Sequence, residues 1–152
     1  RHYGALTGLN KDEMKKIYGE NKIQMFRRSW DMSPAPLKKN SPYHPLNMEI
    51  YKEIPKEKIP DSESLKNTYN RVIPYYQKNI EPLIRNGKNV LISAHGNSLR
   101  ALCKNLLNIL KKNIPKLEIP TGNPLFINFD RRLNIQKYIY LDTSRAKNII
   151  ND

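Results

Sequence analysis

The sequence predicts an α/β chain, on three observations. Residues 90–94 are Val-Leu-Ile-Ser-Ala, a short, largely apolar run that passes straight into His95-Gly96-Asn97 and a second apolar-periodic stretch. Leu65, Tyr69, Val72, Ile73, Tyr76 and Ile80 recur at the spacing of one helix face. Leu125 to Phe129 and Ile135 to Leu141 are two strand-like runs joined through Asp130-Arg131-Arg132, the pattern of a hairpin.

Taken in order, the elements follow from local chemistry. Asn10 with Glu13 three residues on reads as a helix N-cap and its capping-box partner, for a helix that runs to about Tyr18 and stops at Gly19. A second helix, about Glu20 to Ser29, places Ile23, Phe26 and Trp30 at core-like spacing. Residues 33–60 contain Pro34, Pro36, Pro42, Pro45, Pro55 and Pro60, which exclude regular structure. A loop of this length is usually a lid, a binding loop or a linker. His44, inside it, reads as a surface residue.

From Ser62 the helical pattern returns, with a kink expected at Pro74 and closure at Asn86-Gly87. A strand over 89–94, the His95 turn and a helix from about Ser98 to 110 follow. The tail from Thr143 predicts a short, weak helix, and no internal repeat is present. Three strands are few for an α/β sheet. Residues 90–94 are apolar enough to require neighbours on both sides, and the natural neighbour is not visible in the sequence.

The chain's 152 residues fit one domain. Its 27 Lys and Arg against 14 Asp and Glu give a net charge of +13, which predicts an anionic partner: nucleic acid, a membrane surface or a phosphorylated small molecule. The cations are spread along the chain, with no block of five or more. Cys103 is the single cysteine, so an internal disulfide is excluded, and its place on the apolar side of the helix after His95 predicts buried packing. No apolar run reaches the length of a membrane-spanning helix.

The chemistry concentrates at His95. A strand that ends in a histidine at a helix N-terminus makes an anion site, because the first amides lack partners, the helix dipole is positive there and an imidazole stands beside them. Arg27-Arg28 lies near the end of the second helix, where a solvated face is the simplest reading. Lys11 opposes the dipole of its own helix, which points mildly to an anion beside it.

Order and spacing add to these pieces. Arg1-His2-Tyr3-Gly4-Ala5-Leu6-Thr7-Gly8-Leu9-Asn10-Lys11, then Arg27-Arg28-Ser29, then Ala94-His95-Gly96-Asn97-Ser98-Leu99-Arg100, then Pro120-Thr121-Gly122-Asn123-Pro124 together resemble one family. It is the 2,3-bisphosphoglycerate-dependent phosphoglycerate mutases of the histidine phosphatase superfamily, and the resemblance runs through essentially the whole chain. It implies a three-layer α/β/α sheet whose N-terminal central strands are missing from this chain. Residues 1–152 would then be the C-terminal part of a single mutase-like domain, with 33–60 as a Pro-rich loop within it.

The resemblance also implies roles. Arg1, His2 and Tyr3 match the segment that contacts phosphoglycerate. Lys11 matches a substrate-binding lysine, and Arg27 and Arg28 match a pair that grips carboxylate or phosphate oxygens. His95 matches the second active-site histidine, which stabilises the phosphoryl group in flight, and Gly96 and Asn97 match phosphate contacts. The family's nucleophile, a histidine in an Arg-His-Gly motif, has no counterpart here, since His2 precedes Tyr3 and His44 precedes Pro45. Its general acid/base glutamate would stand directly before Arg1.

The implied activity is interconversion of 3-phosphoglycerate and 2-phosphoglycerate in glycolysis through a phosphohistidine, primed by 2,3-bisphosphoglycerate and without a metal. The implied setting is a cytoplasmic homo-oligomer, dimer or tetramer, that acts on a small phosphorylated substrate. The alternative within the superfamily is a bisphosphoglycerate mutase/phosphatase or another phosphatase. The alternative of another class is a basic nucleic-acid-binding module, disfavoured because the tyrosines fall mostly on helix stripes or in the Pro-rich loop.

Overall fold

The structure, a computed structural model, describes residues 1–146. Two compact units divide between Asn67 and Thr68.

In the first unit the Asn10 side chain accepts the backbone N–H groups of Asp12 (2.8 Å) and Glu13 (3.3 Å), which starts helix α1 at Lys11–Tyr18. Gly19, at φ 82°, ends α1 and turns the chain into α2, Glu20–Arg28. That backbone region is open to glycine and strained for other residues. Ile23 is the one buried side chain of α2, with Phe26 and Trp30 half-buried beyond it.

Residues 33–60 hold neither α-helix nor strand, only single 3₁₀ turns at Pro45–Asn47, Glu49–Tyr51 and Lys56–Lys58. Backbone bonds nevertheless pin the segment. Ala5 N–H donates to Ala35 O (2.8 Å), and Leu37 N–H donates to Asp61 O (2.9 Å). Gly4 permits this closeness, because a Cβ there would stand 2.2 Å from Ala35 O and 2.6 Å from the Ser62 hydroxyl.

The structure corrects the reading of His44 as a surface residue: it is fully buried. Its Nδ1 accepts the Leu46 N–H (3.1 Å), which caps the turn that Pro45 begins, and its Nε2 lies 3.0 Å from Asp61 Oδ1. With both ring nitrogens partnered, burial leaves no polar atom stranded.

Helix α3, Leu65–Tyr75, begins where Ser64 and Asn67 cap each other reciprocally: Ser64 N–H donates to Asn67 Oδ1 (3.0 Å) and Asn67 N–H to Ser64 Oγ (3.2 Å). Its apolar stripe continues into the second unit, where Ile73, Tyr76 and Leu102 form a buried cluster with Tyr69, Val72, Ile80, Ile84 and Leu106 around it. The helix passes through Pro74, and the irregularity falls after it as a π turn over Tyr76–Ile80. Pro74 and Pro82 each remove one N–H from the ladder, and the widened turn lies between them. Helix α4, Glu81–Arg85, closes as expected: Gly87 (φ 74°) donates to Ile84 O and Lys88 to Leu83 O, a Schellman arrangement.

The expected buried strand over 89–94 is not formed. These residues make no sheet ladder among the described residues, and Leu91 is 92% exposed. A strand exists only through a paired neighbour, and an apolar run by itself cannot supply one. Helix α5 spans Gly96–Leu106, so it starts two residues earlier than expected, with His95 as its N-cap. It also stops short of residue 110, because Asn108 turns left-handed (φ 50°) and Ile109 N–H reaches back to Lys104 O.

Strands β1, Leu125–Phe129, and β2, Ile135–Tyr140, form the predicted antiparallel hairpin, with an irregularity at Asn128/Phe129. The Asp130 carboxylate organises its turn by accepting the N–H groups of Arg132 and Asn134, each at 2.8 Å. Asn123 fastens the other end, donating to Asp142 O and accepting Asp142 N–H. Thr143 to Arg145 form a turn rather than a helix, and the remainder of the predicted tail helix lies outside the described residues. Helices with a small antiparallel sheet bear out the α/β class.

Candidate anion-binding site

In the first unit the cationic residues gather at the end of α2. Arg1 Nε donates to Glu63 O (2.8 Å), Nη1 to Arg27 O (3.1 Å), and Nη2 to Phe26 O (2.5 Å) and Met32 O (3.2 Å). Its guanidinium carbon also lies 5.3 Å from the centre of the Tyr3 ring. Burial lowers the Arg1 pKa; Tyr3 and Glu63 oppose the shift and the Arg27 charge adds to it.

Arg27 and Arg28 are half-buried, and the Arg27 side chain makes no hydrogen bond or ion pair among the described residues. A half-buried guanidinium without a contacting carboxylate, beside a second guanidinium, favours an anion. Arg1 thus lies against both the Tyr3 ring and the Arg27 backbone. Lys11 is exposed in the first turn of α1, and no hydrogen bond or ion pair among the described residues joins it to that group.

His2 is held differently. Its Nδ1 accepts Gly4 N–H at 2.9 Å, so in the neutral ring the proton is on Nε2, a buried atom with no hydrogen-bond partner among the described residues. The ring lies 5.8 Å from that of His44. Burial and the neighbouring His44 both lower the His2 pKa, partly opposed by Glu63 and Asp61.

In the second unit His95 caps α5 with its own ring: Nδ1 accepts Asn97 N–H at 3.2 Å. A neutral His95 thus carries its proton on Nε2, a donor at the positive end of an eleven-residue helix. Gly96 is half-buried and Asn97 buried, the latter accepting from Arg100 Nη1 at 2.7 Å through its Oδ1. Alongside lies a cavity of about 550 Å³, walled mainly by Val90, Ile92, Leu99, Leu102, Leu125 and Tyr140. Ser93, Gly96, Thr121 and Asn123 also line it, so its wall is mixed, with apolar groups in the greater part.

Sequence reasoning missed two residues. Glu63 is buried and accepts His2 N–H on Oε2 at 2.7 Å. Arg100, also buried, ties Asn97 to Leu117 O (3.1 Å). Arg100 falls within a quoted motif, and its place on the α5 face that also carries Cys103 was a usable signal for burial. Glu63 gave no local signal, since its partner is 61 positions away. Among the described residues no three His, Cys, Asp or Glu side chains gather as a metal site, and no helix is long and apolar enough to cross a membrane.

The family model of the histidine phosphatase superfamily (branch 1) matches residues 39–137. The chain belongs to that superfamily. It is also similar to curated relatives along almost its whole length. A 2,3-bisphosphoglycerate-dependent phosphoglycerate mutase of Pelagibacter ubique is 62% identical over 150 residues, 99% of this chain and 63% of the relative. Proteins with the same name from Maricaulis maris and Borrelia garinii are 45% and 48% identical over 148 residues, 97% of this chain and 61% and 60% of theirs. The chain therefore spans about 60% of the length of these relatives. In this histidine phosphatase chain, His95 to Asn97 fall inside the matched family span, whereas Arg1 to Arg28 precede it.

Proposed function

We propose that this chain supplies the substrate-gripping and charge-stabilising residues of a glycolytic phosphoglycerate mutase, with a phosphorylated nucleophile outside these 152 residues. The observation that carries the reading is His95 at the N-cap of α5, where Nδ1 accepts Asn97 N–H and so puts the proton of a neutral ring on Nε2, at the positive end of the helix. Phosphoryl transfer calls for such donors around the equatorial oxygens and for an in-line approach, with little covalent work beyond the nucleophile.

Arg27 and Arg28, with Tyr3 and Lys11, take the carboxylate and phosphate of phosphoglycerate, because a guanidinium fork binds two oxygens at once. His2 lies in the same contact segment, and Gly96 and Asn97 contact phosphate beside His95. The uncompensated charge on Arg27, which has no ion-pair partner among the described residues, also fits 2,3-bisphosphoglycerate, a polyanion. When bound, that compound supplies the phosphoryl group that primes the enzyme. The names of relatives at 45–62% identity support a mutase over a phosphatase. We place the enzyme in the cytoplasm, as a dimer or tetramer.

The test is a direct comparison in the complete protein. Isomerisation of 3-phosphoglycerate should exceed its hydrolysis, and inorganic phosphate should accumulate slowly. Hydrolysis that dominates at saturating phosphoglycerate overturns the mutase reading in favour of a phosphatase of the same superfamily.

A further inference from the structure

Four backbone carbonyls converge on one side chain. The carbonyls of Phe26 and Arg27 lie in the last turn of α2, beyond the final helical bond from Ser29 N–H to Met25 O. Helix-end carbonyls of this kind have no N–H partner within the helix, and a cation there also complements the dipole. Arg1 supplies both needs, and its Nε and Nη2 extend to Glu63 O and Met32 O. One planar fork therefore fixes the end of α2 against the segment that follows it and the segment that precedes α3.

The held carbonyl of Arg27 belongs to the same residue whose side chain has no hydrogen-bond or ion-pair partner among the described residues. Holding that backbone sets the direction in which its guanidinium leaves the helix. We propose that Arg1 is a positioning residue, which presents Arg27 to the carboxylate or phosphate of the substrate and acts on binding through Arg27. This rests on the reading above that Arg27 grips substrate. Lysine cannot replace Arg1, because an ammonium is a compact charge and cannot donate in one plane to carbonyls on three sides.

The test is a double-mutant cycle in the complete protein, with the Kd for 3-phosphoglycerate measured by calorimetry in wild type, Arg27→Ala, Arg1→Lys and the double variant. We expect Arg27→Ala to weaken binding about thirtyfold and Arg1→Lys about five- to tenfold. The double variant should match Arg27→Ala alone to within about twofold, because effects routed through one group do not add. If the two losses multiply, Arg1 grips the anion itself and the proposal falls; an unchanged Kd in Arg1→Lys also overturns it.

An unchanged Kd in Arg27→Ala instead removes Arg27 as a ligand, a result distinct from failed coupling. General loss of packing would lower Tm yet still add to the Arg27 effect. Arg1→Gln, which keeps two N–H donors, is carried through the same cycle so that a folded variant is in hand.

Discussion

Asn97 N–H donates to His95 Nδ1 across 3.2 Å, so the ring that caps α5 is the same one that the proposed function sets beside the transferring phosphoryl group. This bond selects the tautomer: with Nδ1 as acceptor, a neutral ring holds its proton on Nε2. His95→Ala removes both functions. We expect kcat of the complete enzyme to fall about 100-fold or more, the scale of losing one charge-stabilising donor. Stability should fall by only about 1 kcal/mol from the lost cap. Steady-state kinetics beside thermal unfolding separates the two, and full turnover in the variant would remove His95 from the chemistry.

His44 holds the Pro-rich loop to the residues before α3. His44→Ala leaves the Leu46 N–H and the Asp61 carboxylate without their ring partner and opens a void in a fully buried position. We expect a loss of about 2–3 kcal/mol, read as a lower midpoint in urea. A midpoint equal to wild type would show that the loop is held by its backbone bonds alone.

His2 makes stability depend on pH. Its pKa in the folded chain lies below the ordinary 6.5, chiefly through burial. As pH falls past that ordinary value the unfolded chain takes up a proton that the folded chain refuses, so stability declines toward the folded pKa and then levels. Protonation would also remove the acceptor that holds Gly4 N–H. In His2→Asn, whose Oδ1 can accept the same N–H, the slope of Tm between about pH 7 and pH 5 should be shallower. An identical slope would assign the pH dependence elsewhere.

Cys103 should be inert. It is buried in α5, and burial pushes its thiol up to about 12. Alkylation by iodoacetamide at about pH 8 needs thiolate and access, and the native chain offers neither. We expect no mass increase in the folded protein and one adduct in denaturant. Rapid labelling of folded protein would mean that α5 opens readily.

Much of the fold was legible because it rests on near neighbours. The Asn10 cap, the stop at Gly19, the closure at Gly87 and the hairpin around Asp130 are each decided within about five residues. The stripe from Leu65 to Ile80 was equally plain, since one helix face repeats every three or four positions. The His95 turn was legible as a candidate anion site for the same reason, whereas Arg27-Arg28 read locally as a solvated helix face and gained a substrate role only through the family resemblance.

What the tertiary structure alone decided involves distant partners. His44 is buried because Asp61, 17 positions on, meets its ring, and nothing local to a Pro-rich loop announces that. Residues 90–94 read as a buried strand by composition, but pairing depends on a neighbouring backbone, and the described residues provide none. Arg1 read as a residue that touches substrate. Its carbonyl partners at 26, 27, 32 and 63 show it bound to the end of α2 as well, because a guanidinium binds whatever oxygens the folded chain brings to it.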